Sequence, residues 1–385
     1  MLDVGVAVPD VGEYAAIDPA WGIGDPREQV LSALDGMRAV GRLPVHGQDV
    51  RPSFASYASN DARGKVEAAR QLAASGPVAI IGGRDFGDGA RWIAANTPIP
   101  VIDVNALPTA SLTAAGRSLF TLRTAQDVLY RAAVRWADSN GWLAGRRIGV
   151  FSDRLTEQSA AEACDELNRL GHDVRTWIRS DGTGVGSEAD ESAVTTFADA
   201  GVEVVFPFVG GSSWIATLRH AADAGYRPHI VELETGEHTN DVTARRFPPD
   251  LYEGTVALTM SRGGEVAGGF PLGGEAERCL DSLERATGRR LDPDGPAVSG
   301  ELSNTLLSWD LMLLLVEGLR LAGGDAAPAR LIDGLDRIHG QPIASGGDVS
   351  FAPGTHWGIR QVRTIEWRAQ RGMWVATSPF RAIDA

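Results

Sequence analysis

The side chains best suited to bind a metal or a ligand lie in the acidic segment 229–241, which begins with the predicted strand HIVELE. Glu232 and Glu234 would share one face of that strand, while His229 points to the other. A metal needs its ligands on one side, and no HExxH pattern is present. The segment therefore predicts a strand end and a polar loop, or a glutamate that faces the amine of a ligand, rather than a metal site.

A second candidate is the glycine-rich string GGRDFGDG at 82–89, which follows the apolar run 78–83. No GK[ST] triplet follows it, so it does not predict a nucleotide-binding P-loop. Glycines at the carboxyl end of a strand do allow a backbone to approach a ligand, and a helix N-terminus offers N–H donors. Arg84, Asp85 and Phe86 thus lie either in a binding loop or in a plain turn.

The sequence contains no GxSxG nucleophile motif. Ser212 and Ser213 follow a strand, but in the string GGSSW, and any catalytic triad could be assembled only by arbitrary choice. We therefore predict no catalytic residue and no enzyme. Trp21 and Trp214 lie at predicted strand ends, where an aromatic wall suits a small ligand.

Composition excludes several classes of partner. The 385 residues include 36 basic and 50 acidic side chains, for a formal charge of −14. Such a surface repels phosphate backbones and anionic lipids, so no nucleic-acid or membrane-surface partner is expected. Cys164 and Cys279 lie in helical patterns and are expected to be buried thiols, and no motif indicates a metal or a cofactor.

No apolar run reaches about 18 residues, so no membrane-spanning helix is predicted. The N-terminus lacks the basic and apolar regions of a signal peptide. The expected location is therefore extracytoplasmic, periplasmic or at the cell surface, if a leader was removed, and cytoplasmic if Met1 is native.

The candidate binding residues lie among short apolar runs that alternate with amphipathic helical patterns. This alternation favours parallel sheets covered by helices. Two such arrays of similar size meet near 120–125, and the end of the chain predicts a hairpin with its turn near 370–372. A chain of 385 residues is longer than a single hydrophobic core usually supports. At least two domains are expected.

Several strings, taken in order, resemble type I periplasmic solute-binding proteins, specifically the branched-chain amino-acid-binding (Leu/Ile/Val-binding-like) branch of ABC transporter receptors. They include TPIPVIDVNALPTASLT, SLFTLRTAQD, VEVVFPFVGG, YEGTVALT and SWDLMLLLVEGLRLAGG. The second string carries Phe120, Arg123, Thr124 and Asp127, and the last carries Asp310. The resemblance covers most of the chain and depends on the shared order of the strings.

The resemblance implies an α/β fold of periplasmic-binding-protein type I, with two Rossmann-like lobes, three crossover segments and a ligand cleft. The implied boundaries are 1–122 for the first part of lobe 1, 123–253 for lobe 2, 254–342 for the second part of lobe 1, and 343–385 for a C-terminal hairpin that returns to lobe 2. Closure of the lobes on ligand is the expected motion.

The resemblance also implies binding residues, with departures from the family pattern. Where the family often presents Ser after the third strand, this chain has the Arg84 loop, and the family's Ser-Ala-Thr loop becomes Asn105, Ala106 and Leu107. The aromatic residue that the family often has after the first strand of lobe 2 is absent, and this segment carries Asp153 instead. These changes predict a more polar cleft, with Arg84 available for a carboxylate. The predicted ligand-binding residues are Trp21, Arg84, Asp85, Phe86, Asn105, Ala106, Asp153, Ser212, Trp214, Glu232 and Glu234.

The predicted function is non-catalytic binding of a small amino-acid-like, polar or carboxylate ligand. The protein is expected to serve as the substrate-binding component of an ABC importer, with the permease as its partner. An intracellular sensor with the same fold is an alternative. A hydrolase that uses Asp153 with Glu232 or Glu234 is a less favoured one.

Overall fold

The computed structural model describes residues 1–12, 22–154, 156–172, 174–179, 188–234, 238–294 and 299–383. Trp21, one of the predicted ligand contacts, lies outside the described residues. The chain divides into two compact units. The first comprises Met1–Ala125 and Pro271–Gln361, and the second comprises Gln126–Phe270 and Val362–Ala385. The backbone passes between the units three times, which agrees with the predicted fold class.

The first unit is built on a five-stranded parallel sheet with the order β2-β1-β3-β4-β5. Its central strands are almost wholly buried because helices cover both faces, as in other parallel sheets. The strands are β1 (Leu2–Pro9), β2 (Val50–Tyr57), β3 (Ala79–Gly82), β4 (Val101–Asp103) and β5 (Leu119–Thr121).

The helices of the first unit begin where the sequence provides capping groups. Asp25 accepts a hydrogen bond from the Arg27 N–H at 2.9 Å, and Pro26 occupies the first helical position, where its missing N–H costs nothing. The α-helices of this unit are Pro26–Ala39, Ala62–Ala74, Gly87–Asn96, Thr109–Ala114, Gly274–Thr287, Ser299–Leu321 and Pro328–Leu335. A short strand pair, β11 (Gln341–Pro342) with β12 (Asp348–Val349), follows them.

The second unit contains a larger sheet with the order β14-β13-β10-β9-β8-β6-β7, and β15 pairs with β13. Strands β6 to β10 are parallel, whereas β13 runs antiparallel to both β10 and β14. The strands are β6 (Ile148–Ser152), β7 (Val174–Arg179), β8 (Val204–Phe208), β9 (His229–Leu233), β10 (Val256–Thr259), β13 (Gln361–Arg368), β14 (Met373–Ala376) and β15 (Arg381–Ala382). The helices are Gln126–Ser139, Glu157–Arg169, Glu188–Asp199, Gly211–Asp223, Asp241–Ala244 and Pro249–Tyr252.

The chain crosses between units later than the sequence predicted. The sequence assigned everything from 254 to 342 to the first lobe, but β10 is a central strand of the second sheet, between β9 and β13. The segment 343–361 was expected to return to the second lobe. It stays in the first unit because its backbone bonds to the end of β5, with Thr121 N–H donating to the His356 carbonyl at 2.7 Å. The C-terminal hairpin itself forms as predicted, with Trp367 opposite Trp374.

Among the described residues, one helix is long and apolar enough to cross a membrane, Gly300–Leu321, and 89% of its most apolar window is buried inside the protein. Core helices of soluble proteins have the same character. Within it, Asp310 is fully buried and accepts main-chain N–H groups of Ala344 at 2.6 Å and Ser345 at 2.8 Å. The carboxylate therefore fixes the chain that follows the last helix of the first unit.

Replacement of Asp310 by alanine should lower the free energy of unfolding by about 2–5 kcal/mol, because two buried N–H groups lose their acceptor. Asp310→Asn, which retains one carbonyl oxygen, should lose less. Urea unfolding followed by tryptophan fluorescence measures both, with the exposed Asp325→Ala as a control. An unchanged midpoint for Asp310→Ala would contradict this role.

Candidate functional site

Three neighbouring strands of the first unit end at the same level. Gly82, Asp103 and Thr121 are the last residues of β3, β4 and β5, and each is the register partner of the next. Adjacent strands lie about 4.8 Å apart, so these three strand ends form one row from which the following loops start side by side. The residues two positions further along are Arg84, Asn105 and Arg123.

A chain of hydrogen bonds fixes the middle of this row. The Asp103 Oδ1 atom accepts from the Asn105 main-chain N–H at 2.7 Å and from its Nδ2 at 2.6 Å. The Asn105 Oδ1 atom in turn accepts from the Asp85 main-chain N–H at 3.1 Å. Asp85 has a φ of 64°, a left-handed conformation in which an aspartate is tolerated. The loops after β3 and β4 are thereby joined.

Asp103 is fully buried, and its Oδ2 atom has no hydrogen-bond partner among the described residues. Burial raises the pKa of this carboxyl to about 7, and the negative charge of Asp85 adds to the rise, although the Asn105 hydrogen bonds and Arg91 oppose it. Gly82 makes the close approach feasible, since a Cβ there would lie 2.4 Å from Oδ2. Sequence reasoning did not select Asp103.

The position of Phe86 contradicts its predicted role as a ligand contact. Its side chain is fully buried, with its ring centroid 5.2 Å from that of Tyr57. The Tyr57 hydroxyl donates to the Arg84 carbonyl, so this aromatic pair supports the loop from beneath. Arg84 itself is half-buried, Asp85 is exposed and Ala106 is half-buried, which leaves these three able to meet a ligand.

Arg123 joins the row at its far end, and the sequence offered it only as part of a family string. Desolvation lowers the pKa of its guanidinium to about 10, and the positive charge of Arg84 lowers it further. The signal that could have identified Arg123 is its offset of two residues from a strand end, the same as for Arg84 and Asn105.

In the second unit, Asp153 connects two loops that follow strand ends. Its Oδ1 accepts from the Thr156 N–H at 3.0 Å, and its Oδ2 accepts from the Gly210 N–H at 3.1 Å. Thr156 also donates its hydroxyl hydrogen to the Phe208 carbonyl at the end of β8. Ser212 follows in the first turn of helix Gly211–Asp223. Asp153 thus orients the main chain at this end of the sheet.

Glu234, directly after β9, holds the next loop in the same way. Its Oε2 accepts from the Thr259 hydroxyl at 2.6 Å, the Met260 N–H at 2.7 Å and the Ser261 N–H at 3.0 Å. Its Oε1 accepts from the Ser261 hydroxyl at 2.6 Å. This half-buried carboxylate organises the loop after β10.

Trp214 and Glu232 lie in the core, contrary to the prediction that they contact ligand from strand-end loops. The Glu232 Oε1 atom accepts from Trp214 Nε1 at 2.7 Å and from the Tyr252 hydroxyl at 2.9 Å. Its Oε2 lies 2.9 Å from His238 Nδ1, and all four side chains are buried. The end of β9 explains the difference, because Glu232 is still inside the strand whereas Glu234 lies beyond its last residue, Leu233.

A further buried charge cluster lies at the carboxyl end of the second sheet, where Arg363 pairs in register with Thr259. The Glu265 carboxylate accepts from Arg363 at 2.5 Å and from Arg262 at 2.9 Å. The Arg363 guanidinium lies over the rings of Phe270 and Phe380. Burial lowers the pKa of Arg363 and raises that of Glu265. Through Glu265 and Phe270, the cluster connects the glycine-rich segment before 271 to β13.

The described residues include no group of three or more His, Cys, Asp or Glu side chains that could hold a metal ion. Cys164 and Cys279 are both buried and unbridged, and burial raises the pKa of each thiol. The site residues are therefore polar side chains and main-chain groups at the carboxyl ends of two sheets.

A family model described as "Periplasmic binding protein" matches residues 3–372, and the chain belongs to that family. The resemblance drawn from the sequence is thereby confirmed. Among curated proteins, no match was found.

Solved structures share the fold. A leucine-binding protein from Thermotoga maritima superposes with a TM-score of 0.73 at 15% identity, covering 99% of each chain. An ABC transporter solute-binding protein from R. palustris in complex with 4-hydroxybenzoate gives 0.73 at 14%, covering 99% of this chain and 97% of that one. A substrate-binding protein from Desulfitobacterium hafniense in complex with Leu gives 0.71 at 15%, covering 97% and 99%.

Asp103 should make stability depend on pH. Its carboxyl keeps a proton up to about pH 7 in the folded protein, whereas an unfolded aspartate loses it near 3.9. The native state therefore binds more protons between these values, and the free energy of unfolding falls as pH rises through this window. Asp103→Asn should remove this loss.

The free energy of unfolding of Asp103→Asn should rise relative to that of wild type by up to about 4 kcal/mol between pH 4 and 7. Above pH 7 the difference should stay constant. Urea unfolding at half-unit pH intervals measures it, with the exposed Asp35→Asn as the control. A difference in unfolding free energy that does not change with pH would contradict the raised pKa of the buried Asp103 carboxyl.

Glu232 should matter for stability more than for ligand affinity. Glu232→Leu should lower the free energy of unfolding by about 3–5 kcal/mol, because the buried partners lose their acceptor. Glu232→Gln should lose less, and Glu67→Gln at an exposed position of helix Ala62–Ala74 should lose almost nothing. Wild-type stability in Glu232→Leu, together with lost ligand binding, would instead make Glu232 a ligand contact.

Proposed function

We propose that this protein is a non-catalytic receptor for a small polar or carboxylate molecule, and that it delivers this ligand to the permease of an ABC importer. The observation that carries the proposal is the set of polar groups that follow the carboxyl ends of the parallel strands in each sheet, in a chain of the periplasmic binding protein family. Ligands of open α/β folds bind outside the carboxyl ends of the strands.

The similar solved structures support the class of ligand. Leucine and 4-hydroxybenzoate, named in two of those complexes, differ in size and polarity but share a carboxylate. In this chain, Arg84 offers a half-buried guanidinium at the row of the first unit, and Asn105 is held there by Asp103. A planar guanidinium matches a carboxylate in shape and charge.

The bonding of the carboxylates supports binding rather than catalysis. Asp153 and Glu234, the residues a hydrolase would need, each accept main-chain N–H groups that shape a loop. A general acid or base must instead reach the proton that it transfers. Both side chains serve as supports for main-chain groups that a ligand would contact.

The family supports an extracytoplasmic location, and handing ligand to a membrane permease is the role we propose there. Bound ligand would favour the state of the protein that binds it more tightly. The permease would then distinguish loaded from empty receptor.

A thermal-shift screen against amino acids, aromatic acids, sugars and nucleosides tests the proposal. A ligand at about 100 times its dissociation constant adds roughly 2.7 kcal/mol to native stability. The Asn105→Ala variant should show a smaller shift for the same compound, whereas Asn168→Ala, at an exposed helix position, should match wild type.

Two outcomes would overturn the proposal. One is chemical conversion of the stabilising compound, detected by mass spectrometry after incubation, which would make the protein an enzyme. The other is no shift with any compound, combined with no small molecule released when the purified protein is denatured.

A further inference from the structure

We propose that Asp103 is a proton-dependent positioning residue. While it carries a proton, it holds the loops after β3 and β4 in the arrangement that binds ligand, and loss of the proton releases them. Ligand affinity should therefore fall as pH rises. The inference rests on the proposed function and adds to it a residue that the sequence analysis did not select.

Among the described residues, every hydrogen bond to the Asp103 carboxyl is made with one of its oxygens. Oδ1 accepts from the Asn105 main-chain N–H at 2.7 Å and from Asn105 Nδ2 at 2.6 Å, whereas the buried Oδ2 has no partner. In a protonated carboxyl, one oxygen carries the hydrogen and the other remains an acceptor. The bonding therefore matches the neutral acid, with the proton on Oδ2.

The surroundings of Oδ2 disfavour a negative charge. A Cβ on Gly82 would lie 2.4 Å from Oδ2 and 2.9 Å from Cδ1 of Phe86, so the oxygen lies against the Gly82 main chain and near a buried ring. A carboxylate that is buried without donors costs far more free energy than a neutral acid in the same place. Burial accordingly raises the pKa of Asp103 to about 7.

Charged groups near Asp103 act in both directions. Asp85 disfavours its ionisation and Arg91 favours it. Arg91 is itself paired with Asp88 on helix Gly87–Asn96, which offsets its charge. The neighbouring strands β3 and β5 carry no titratable side chain.

Helix Ser299–Leu321 also packs against β4. Its fully buried acid, Asp310, accepts two main-chain N–H groups. Glu301 pairs with an arginine that precedes the helix, and Glu317 pairs with Arg320. The cation of this helix is thus bound to another acid, and desolvation remains the largest influence on the carboxyl at the end of β4.

Asn105 connects this carboxyl to both loops. It donates two hydrogen bonds to Asp103, and its Oδ1 accepts from the Asp85 main-chain N–H at 3.1 Å. Because the described arrangement gives Oδ2 no donor, ionisation favours any arrangement of the loops that supplies one. A ligand that binds the described arrangement therefore binds the protonated protein more tightly. By linkage, its affinity falls by up to about tenfold per pH unit above the pKa of Asp103.

Hydrogen exchange read by mass spectrometry tests the loops without a ligand. Wild type, Asp103→Asn and Asp35→Asn are compared between pH 5.5 and 8.5, in peptides that cover 83–88 and 104–108. Asparagine at 103 keeps an acceptor oxygen and cannot ionise, and Asp35→Asn is the matched control at an exposed helix position. The measured quantity is the exchange rate of wild type divided by that of Asp103→Asn, in which the intrinsic pH dependence of exchange cancels.

We expect the ratio for both loops to be near one at pH 5.5 and to rise to about tenfold or more at pH 8.5, because exchange reports the fraction of molecules in which a segment is open. Asp35→Asn should follow wild type. A ratio that does not change with pH, or that changes as much in helix Ala62–Ala74 as in the loops, overturns the inference. Should Asp103→Asn fail to fold, the wild-type rate of the loops divided by that of the same helix reports the same change.

Isothermal titration tests the link to binding, with leucine and 4-hydroxybenzoate as probes in phosphate and in Tris at pH 6, 7 and 8. For a compound that binds, wild type should lose up to about tenfold in affinity between pH 7 and 8 and should take up protons on binding at pH 8. Asp103→Asn should show neither effect, whereas a merely structural residue would leave the pH profile unchanged.

The failures are distinguishable. Wild-type affinity that is the same at pH 6 and 8, for a compound that binds, overturns the role of Asp103 and leaves the receptor function intact. If neither compound binds but the loops show the expected exchange profile, the proton-dependent positioning is supported and the proposed ligand class is not.

Discussion

Parallel strand pairing is the constraint on which the rest of this structure depends. In both sheets the parallel strands end on the same side, so loops distant in sequence are brought together there. The loops that carry Arg84, Asn105 and Arg123 start side by side because Gly82, Asp103 and Thr121 are paired in register. A shift of one residue in one strand would turn the adjoining side chains to the opposite face. The geometry of the candidate site is therefore a property of the sheet and not of any single loop.

Buried carboxylates maintain that geometry, and they do so in two different ways. Glu232 and Glu234 have hydrogen-bond donors on both of their oxygens, so the cost of removing them from water is largely offset. Among the described residues, Asp103 has donors on one oxygen alone, and burial raises the pKa of its carboxyl to about 7. The Glu232 and Glu234 carboxylates are thus saturated with donors, whereas Asp103 is an incompletely bonded acid next to the loops that we assign to ligand.

The sequence was a good guide to elements and a poor guide to side-chain direction. The alternation of apolar runs with helical patterns correctly indicated helix-covered parallel sheets, and the end of the chain correctly indicated the hairpin of β13 and β14. Arg84, Asn105 and Asp153 lie after strand ends as predicted. Trp214 and Glu232 were misplaced, because local pattern does not reveal that the Glu232 carboxylate accepts hydrogen bonds from Trp214 and Tyr252 in the core. The sequence-based boundaries also returned the chain to the first unit too early, since local pattern does not reveal that β10 pairs between β9 and β13.

The sequence by itself determined the α/β class, the family and the strand-end segments that could meet a ligand. These follow from local periodicity and from strings that keep their order along the chain. Only the tertiary structure decided which of those residues act together, through long-range hydrogen bonds such as those from Asn105 to Asp103 and from Gly210 to Asp153. Burial was decided there as well, since it changes Asp103 from an ordinary carboxylate into one that titrates near pH 7. Register, desolvation and hydrogen bonding all depend on neighbours that are remote in sequence, and for that reason they cannot be derived from local pattern.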